Sequence, residues 1–121
     1  MTKKSQFFVK DSKDGQYYFK LNATNNESIG HSETYTQKHN ARSGIESVRK
    51  MSQDIANFDV WKSEKNGQYY FHLMSRQNNE PILQSEGYVS KQGADNGVSA
   101  VMKYALDAIV VDLTKSKSRA A

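Results

Sequence analysis

Apolar and polar positions along this chain alternate with a period of two, switch to a period of 3.6, and then repeat both patterns. In residues 16–23 the alternation puts Tyr17, Phe19 and Leu21 on one face and Gln16, Tyr18 and Lys20 on the other. Residues 68–75 do the same with Tyr69, Phe71 and Leu73. Shorter apolar stretches at 7–10 and 58–62 precede these strands. The dipeptides Asp14-Gly15 and Asn66-Gly67 between them favour two-residue hairpin turns, because Gly reaches positive φ without a Cβ clash. A polar Asn-Asn-Glu turn then leads to a third strand through Ile29 or Ile82, and Pro81 suits a strand start. After Tyr35 and Tyr88 the spacing becomes helical. Ala41, Gly44, Ile45 and Val48 stand at i, i+3, i+4 and i+7, as do Ala94, Gly97, Val98 and Val101, with Thr36 and Ser90 as expected N-caps.

The two passes are copies of one unit. Residues 10–21 recur 52 positions later with eight of twelve identical, and 25–50 recur 53 positions later with twelve of 26 identical. Val111-Asp112-Leu113 stands where a third unit would open. Each unit reads strand, strand, strand, helix. Some 52 residues bury too little surface to be stable alone, so two units are expected to share one mainly antiparallel sheet. The expectation is an α+β fold with helices on one face, the other face open, and pseudo-twofold symmetry. The segments are a polar tail at 1–5, repeat one at 6–56, repeat two with a terminal strand at 57–113, and a basic tail at 114–121. Fusion of the halves replaces a dimer contact, so a monomer is expected. Gly44 and Gly97 sit in the apolar stripes despite a mid-helix cost of about 1 kcal/mol, which assigns them to close approach of sheet and helix.

Composition narrows the class. The 121 residues contain no Cys and one Pro, with 23 Leu, Ile, Val or Phe, seven Tyr and one Trp, which describes a folded chain with a thin core. Without Cys there is no disulfide framework and no Cys-ligated metal. No apolar run approaches the roughly 18 residues of a membrane span, and the first residues lack a signal-peptide pattern, so a soluble cytoplasmic chain is expected. The net charge of +4 invites a nucleic-acid reading. Five of the seventeen basic residues (Lys3, Lys4, Lys115, Lys117 and Arg119) lie in the tails, leaving twelve against thirteen acidic residues in the body. A phosphate-binding face needs a cation cluster on the folded surface, and no such block is present.

The repeated string F-x-x-[WY]-K, G-Q-Y-Y-F-x-L, S-E-x-Y and A-x-x-G-[IV]-x-x-V resembles the YegP-like family of small bacterial proteins, in its duplicated form, over residues 7–113. Val9 where the second copy has Trp61, and Thr34 where it has Gly87, are the first copy's departures. The resemblance implies tandem strand-rich repeats whose helices are candidates for exchange between halves. It implies no activity and transfers no catalytic residue.

Two features could carry chemistry. Ser32-Glu33-Thr34-Tyr35 and Ser85-Glu86-Gly87-Tyr88 join strand to helix. A hydroxyl, a carboxylate and a phenol at a helix start could handle an anion or a proton. The simpler reading has Glu33 and Glu86 serving backbone donors while Tyr35 and Tyr88 pack inward. On the open face, Tyr18, Lys20, Tyr70 and His72 pair aromatics with cations, a combination that grips a peptide or stacks on bases, and that also stabilises a bare sheet. His31, His39 and His72 lack metal-ligand spacing, no nucleotide or acyl-transfer motif is present, and neither cofactor nor metal is expected. The leading expectation is a non-catalytic interaction module offering its open face to a protein or peptide. Weak nucleic-acid binding through the surface Tyr and Lys with the basic tails is the alternative, ahead of an enzyme without a recognisable motif.

Overall fold

Both repeats fold as their periodicity dictates. The computed structural model describes residues 4–115. The order is β1 (Gln6–Asp11), β2 (Tyr17–Asn22), β3 (Ser28–His31), α1 (Lys38–Met51), a 3-10 turn (Ile55–Asn57), β4 (Phe58–Lys62), β5 (Tyr69–Ser75), β6 (Glu80–Gln84), α2 (Lys91–Tyr104) and β7 (Ile109–Asp112). One seven-stranded sheet runs β4-β5-β6-β3-β2-β1-β7. All neighbours are antiparallel except β7 on β1. The seam between repeats is β3 against β6, where His31 faces Gln84, two residues at matching positions of the copies. The pseudo-twofold axis therefore passes between them.

The hairpin turns differ from the two-residue expectation. In the first, the Ser12 amide donates to Gln16 O at 2.8 Å and the Gly15 amide to Ser12 O at 3.3 Å, leaving a three-residue loop. Gly15 alone carries the positive φ, of 82°, as in a type I turn closed by a glycine bulge. In the second, Ser63 N donates to Gln68 O at 2.7 Å and four residues form the loop, with Gly67 at φ 72°. That extra residue shifts the correspondence of the first strands by one. Val9 pairs with Phe19 and Val60 with Phe71, so Val60, not Trp61, matches Val9, and Trp61 matches Lys10. At the helix starts, Ser90 Oγ accepts from Gly93 N at 3.0 Å as expected. The N-cap of α1 is Gln37 rather than Thr36, and it makes no side-chain cap. Glutamine's longer side chain is poorly matched to the first-turn amides that Ser reaches.

The core holds the inward residues of both hairpins and the helix stripes: Phe7, Phe19, Leu21, Ile45 and Val48 in one half, Phe71, Leu73, Leu83, Val98 and Val101 in the other. Phe19 lies edge-on to Phe7 at 5.8 Å and stacks on Tyr35 at 6.3 Å, while Phe71 repeats this with Phe58 at 6.1 Å and Tyr88 at 6.2 Å. A Cβ on Gly44 would stand 2.5 Å from the Tyr35 hydroxyl, and one on Gly97 would stand 2.5 Å from that of Tyr88. These glycines are the clearance that lets each helix settle on its own hairpin. The helices also reach across the seam, α1 touching β5 and β6 and α2 touching β3, without exchanging places. Arg49 of α1 donates to Ala105 O and Leu106 O at 3.0 and 2.8 Å, satisfying carbonyls at the end of α2.

Ser5 and Thr114, assigned to the tails from sequence, are both buried. Ser5 Oγ donates to Tyr104 O at 3.0 Å. Asp112 of β7 accepts from Lys38 Nζ and Arg42 Nη2 of α1, each at 3.1 Å, and from the Thr114 hydroxyl and amide at 2.5 and 2.9 Å. Burial works to raise the Asp112 pKa, but these hydrogen bonds outweigh it and hold the carboxyl well below its ordinary range. Lys3, Lys117 and Arg119 lie outside the described residues.

Candidate functional site

Strand register assembles the face opposite the helices. Pairing places Asp59, His72, Gln84, His31, Lys20, Phe8 and Val111 in one row across all seven strands. Directly paired residues share a face, so the row is a single surface feature. A second row pairs Trp61 with Tyr70 in one half and Lys10 with Tyr18 in the other. Tyr18, Lys20, Tyr70 and His72 therefore share this face, as expected, and all four are partly exposed.

The halves of this face differ. In the second, Trp61 is 42 % exposed, stacks on Tyr70 at 5.8 Å and leans on His72 at 4.7 Å. His72 Nε2 lies 3.5 Å from Asp59, and Asn66 Nδ2 donates to the Tyr70 hydroxyl at 2.9 Å. A cup of about 350 Å³ opens here, lined by Trp61, Tyr70, Lys65, Asn66 and Gln84 among others. In the first half, Lys10 and Lys20 stand where Trp61 and His72 stand in the second, and with Phe8 and Leu113 they line a smaller hollow of about 220 Å³. Among the described residues neither ammonium has an ion-pair partner. Among the described residues no aromatic ring stacks on Tyr18 as Trp61 does on Tyr70.

Sequence reading missed Trp61, Lys10 and Asp59 as members of the face. The repeat placed Trp61 opposite Val9, an inward position. The signal that would have found it is the alternation Phe58, Val60 against Phe7, Val9, which puts Asp59 and Trp61 outward.

The Ser-Glu-x-Tyr motif is spent on the fold. Ser32 Oγ accepts from Phe19 N at 2.9 Å and donates to Glu33 O at 2.7 Å; Ser85 does the same with Phe71 N and Glu86 O, both at 2.9 Å. Tyr35 and Tyr88 pack against the core as expected. Among the described residues the side chains of these glutamates accept from no backbone donor. They are exposed and cross the seam, where Gln84 Nε2 donates to Glu33 and His31 Nδ1 lies 3.5 Å from Glu86. Burial, then Glu33 and Glu80, raises the Tyr35 pKa; burial, then Glu86 and Glu27, raises that of Tyr88. Among the described residues, no cluster of three or more His, Asp or Glu side chains could hold a metal, and no helix is long and apolar enough to cross a membrane.

The same architecture and the same doubled motif occur elsewhere. A family model described as a domain of unknown function, DUF1508, matches residues 12–59 and again 64–112. The chain belongs to the DUF1508 family. Among the relatives of this DUF1508 chain, UPF0339 protein MS1092 of Mannheimia succiniciproducens is 43 % identical over 108 residues, spanning 89 % of this chain and 94 % of that one. UPF0339 protein YegP of Yersinia pestis is 38 % identical over 106 residues, spanning 88 % and 93 %. The solution structure of yegP from E. coli, a protein of unknown function, is 32 % identical, with a TM-score of 0.88 over 97 % of this chain and 99 % of that one. A second solution structure, UPF0339 protein SO3888 from Shewanella oneidensis, gives a TM-score of 0.85 over 97 % and 98 %. The YegP-like resemblance read from the motifs is correct, and so are the α+β class and the bacterial setting. Each DUF1508 segment runs from a hairpin loop through its helix into the strand beyond, β4 in the first copy and β7 in the second.

Proposed function

We propose that this DUF1508 protein is a non-catalytic interaction module, cytoplasmic and monomeric, that binds a protein partner through the open sheet face. The observation that carries this reading is Trp61, two-fifths exposed beside Tyr70 and His72 on the face opposite the helices. Aromatic side chains of this size contribute most where they enter an interface core, and a core position is where folding would otherwise have placed one. A non-catalytic role is supported by Ser32 and Ser85, whose hydroxyls are committed to backbone groups and so are poorly placed as nucleophiles. The monomer is supported by the seam, where one repeat already provides the other with a partner strand.

The test is selection from a displayed random-peptide library on the wild-type protein and on a Trp61→Ser/Tyr70→Ser variant. Selected peptides are expected to lose binding to the variant while its melting temperature stays within a few degrees of wild type. Peptides that bind both proteins equally would refute the reading.

A further inference from the structure

The duplication supplies an internal control for which surface positions carry a task. Core and joint positions repeat across the axis: Phe19 with Phe71, Leu21 with Leu73, Ser32 with Ser85, Tyr35 with Tyr88 and Gly44 with Gly97. The open face breaks that symmetry in one direction. Trp61 and His72 of the second half answer to Lys10 and Lys20 of the first. One end of the face is therefore a cup walled by the Trp61 and Tyr70 rings with polar groups of Lys65, Asn66 and Gln84 around them, which suits a flat or ring-shaped side chain, and the other is a pair of ammonium groups without carboxylate partners among the described residues.

Between these ends the row passes through Gln84 and His31, whose side chains are engaged by Glu33 and Glu86. Those two glutamates make the middle of the face acidic, while Asp59 at the far edge is paired with Arg76 at 3.7 Å. A polyanion crossing it would set further negative charges against them. A segment with a single carboxylate at the lysine end avoids that repulsion. Charge complementarity thus favours a peptide over a nucleic acid.

Resting on the reading of the open face as a peptide-binding surface, we infer that its occupant is an extended partner segment with an aromatic or proline side chain in the Trp61 cup and a carboxylate between Lys10 and Lys20. The spacing follows from the sheet. β5 and β4 lie three and a half and four and a half strand steps from a point between β2 and β1, about 17 to 22 Å, which an extended chain covers in roughly five to six residues. The segment runs across the strands along the row from His72 to Lys20, reading side chains rather than adding to a sheet edge.

The experiment titrates isotope-labelled protein with synthetic twelve-residue peptides carrying one Trp and one Glu separated by two, five or eight positions, together with a Gln version of the middle one. Amide shifts report where each binds. The five-position peptide is expected to move the Gln84, His31 and Lys20 amides and to bind several-fold tighter than the others. Lys10→Glu/Lys20→Glu should weaken it about two- to thirtyfold, the range for two exposed ion pairs, and transfer the preference to a peptide with Lys in place of Glu. Equal binding at all spacings, or no change on charge reversal, would overturn the inference while library peptides that need Trp61 still uphold the broader reading. A ten-nucleotide RNA that shifts the same amides and binds more tightly than every peptide would overturn it in favour of a nucleic acid. Failure of every peptide, selected or designed, to reach the face would sink both.

Discussion

Replacing Gly44 and Gly97 by Ala separates two kinds of tight contact that sequence symmetry makes look alike. In an exposed helix either change would gain about 1 kcal/mol of helix propensity. At Gly97 the new methyl would stand 2.5 Å from the Tyr88 hydroxyl and also 2.7 Å from Phe71 Cε2. Phe71 is fully buried and held between Phe58 and Tyr88, so its ring has nowhere to go. Overpacking of this kind costs about 3 kcal/mol at the upper end, so a net loss of about 2 kcal/mol is expected, near 8 °C in melting temperature for a domain of this size. At Gly44 the close contact is again the tyrosine hydroxyl, at 2.5 Å, but Phe19 Cε2 lies at 3.0 Å and Tyr35 Cζ at 3.1 Å. Phe19 is as fully buried as Phe71 but lies farther off, so Gly44→Ala is expected to cost about 1 kcal/mol, roughly half the loss at Gly97. The assay is thermal unfolding by circular dichroism of both single variants, each also made in a Tyr→Phe background. Gly44→Ala should return to about neutral once Tyr35→Phe removes the 2.5 Å contact, since Phe19 still stands at 3.0 Å. Gly97→Ala should remain destabilising beside Tyr88→Phe. Equal losses at the two glycines, or full rescue of Gly97→Ala by Tyr88→Phe, would refute the assignment of the limiting contact to Phe71.

Two further outcomes test the joints of the fold. Ser85→Ala leaves the Phe71 amide without the acceptor it now has at 2.9 Å, and should cost about 1 to 3 kcal/mol in urea unfolding, with Ser32→Ala close behind. Asp112→Asn should destabilise at neutral pH by about 1 to 2 kcal/mol, because hydrogen bonds to a charged group are lost from Lys38, Arg42 and Thr114. The folded-state pKa of Asp112 is depressed, so its contribution is fully present above the unfolded value near 3.8 and fades as pH falls toward the folded one. Melting curves of wild type and Asp112→Asn should therefore converge in acid, and a gap that stays constant down to pH 2 would contradict this role of the carboxylate.

The order of strands and helices and the inward positions were legible in the chain itself, because each depends on spacing within about ten residues, and the duplication was legible because its copies recur 52 and 53 positions apart. Phe19, Leu21, Ile45 and Val48 declare their faces by period alone, and their second copies confirm them. Three things depended on how strands pair, and two of them on contacts far apart in sequence. The loops of three and four residues set the register of β1 and β4, and that register turned Trp61 outward and made Lys10 its counterpart. Glu33 and Glu86 found partners across the seam, which local reading could not place, since His31 and Gln84 meet only when the two repeats dock. The parallel seat of β7 on β1, secured by Lys38 and Arg42 on Asp112, joins residues 70 or more positions apart. Local periodicity states which side chains must leave water; only the closed sheet decides which of the remaining ones stand side by side, because a one-residue shift in register exchanges the two faces of a strand.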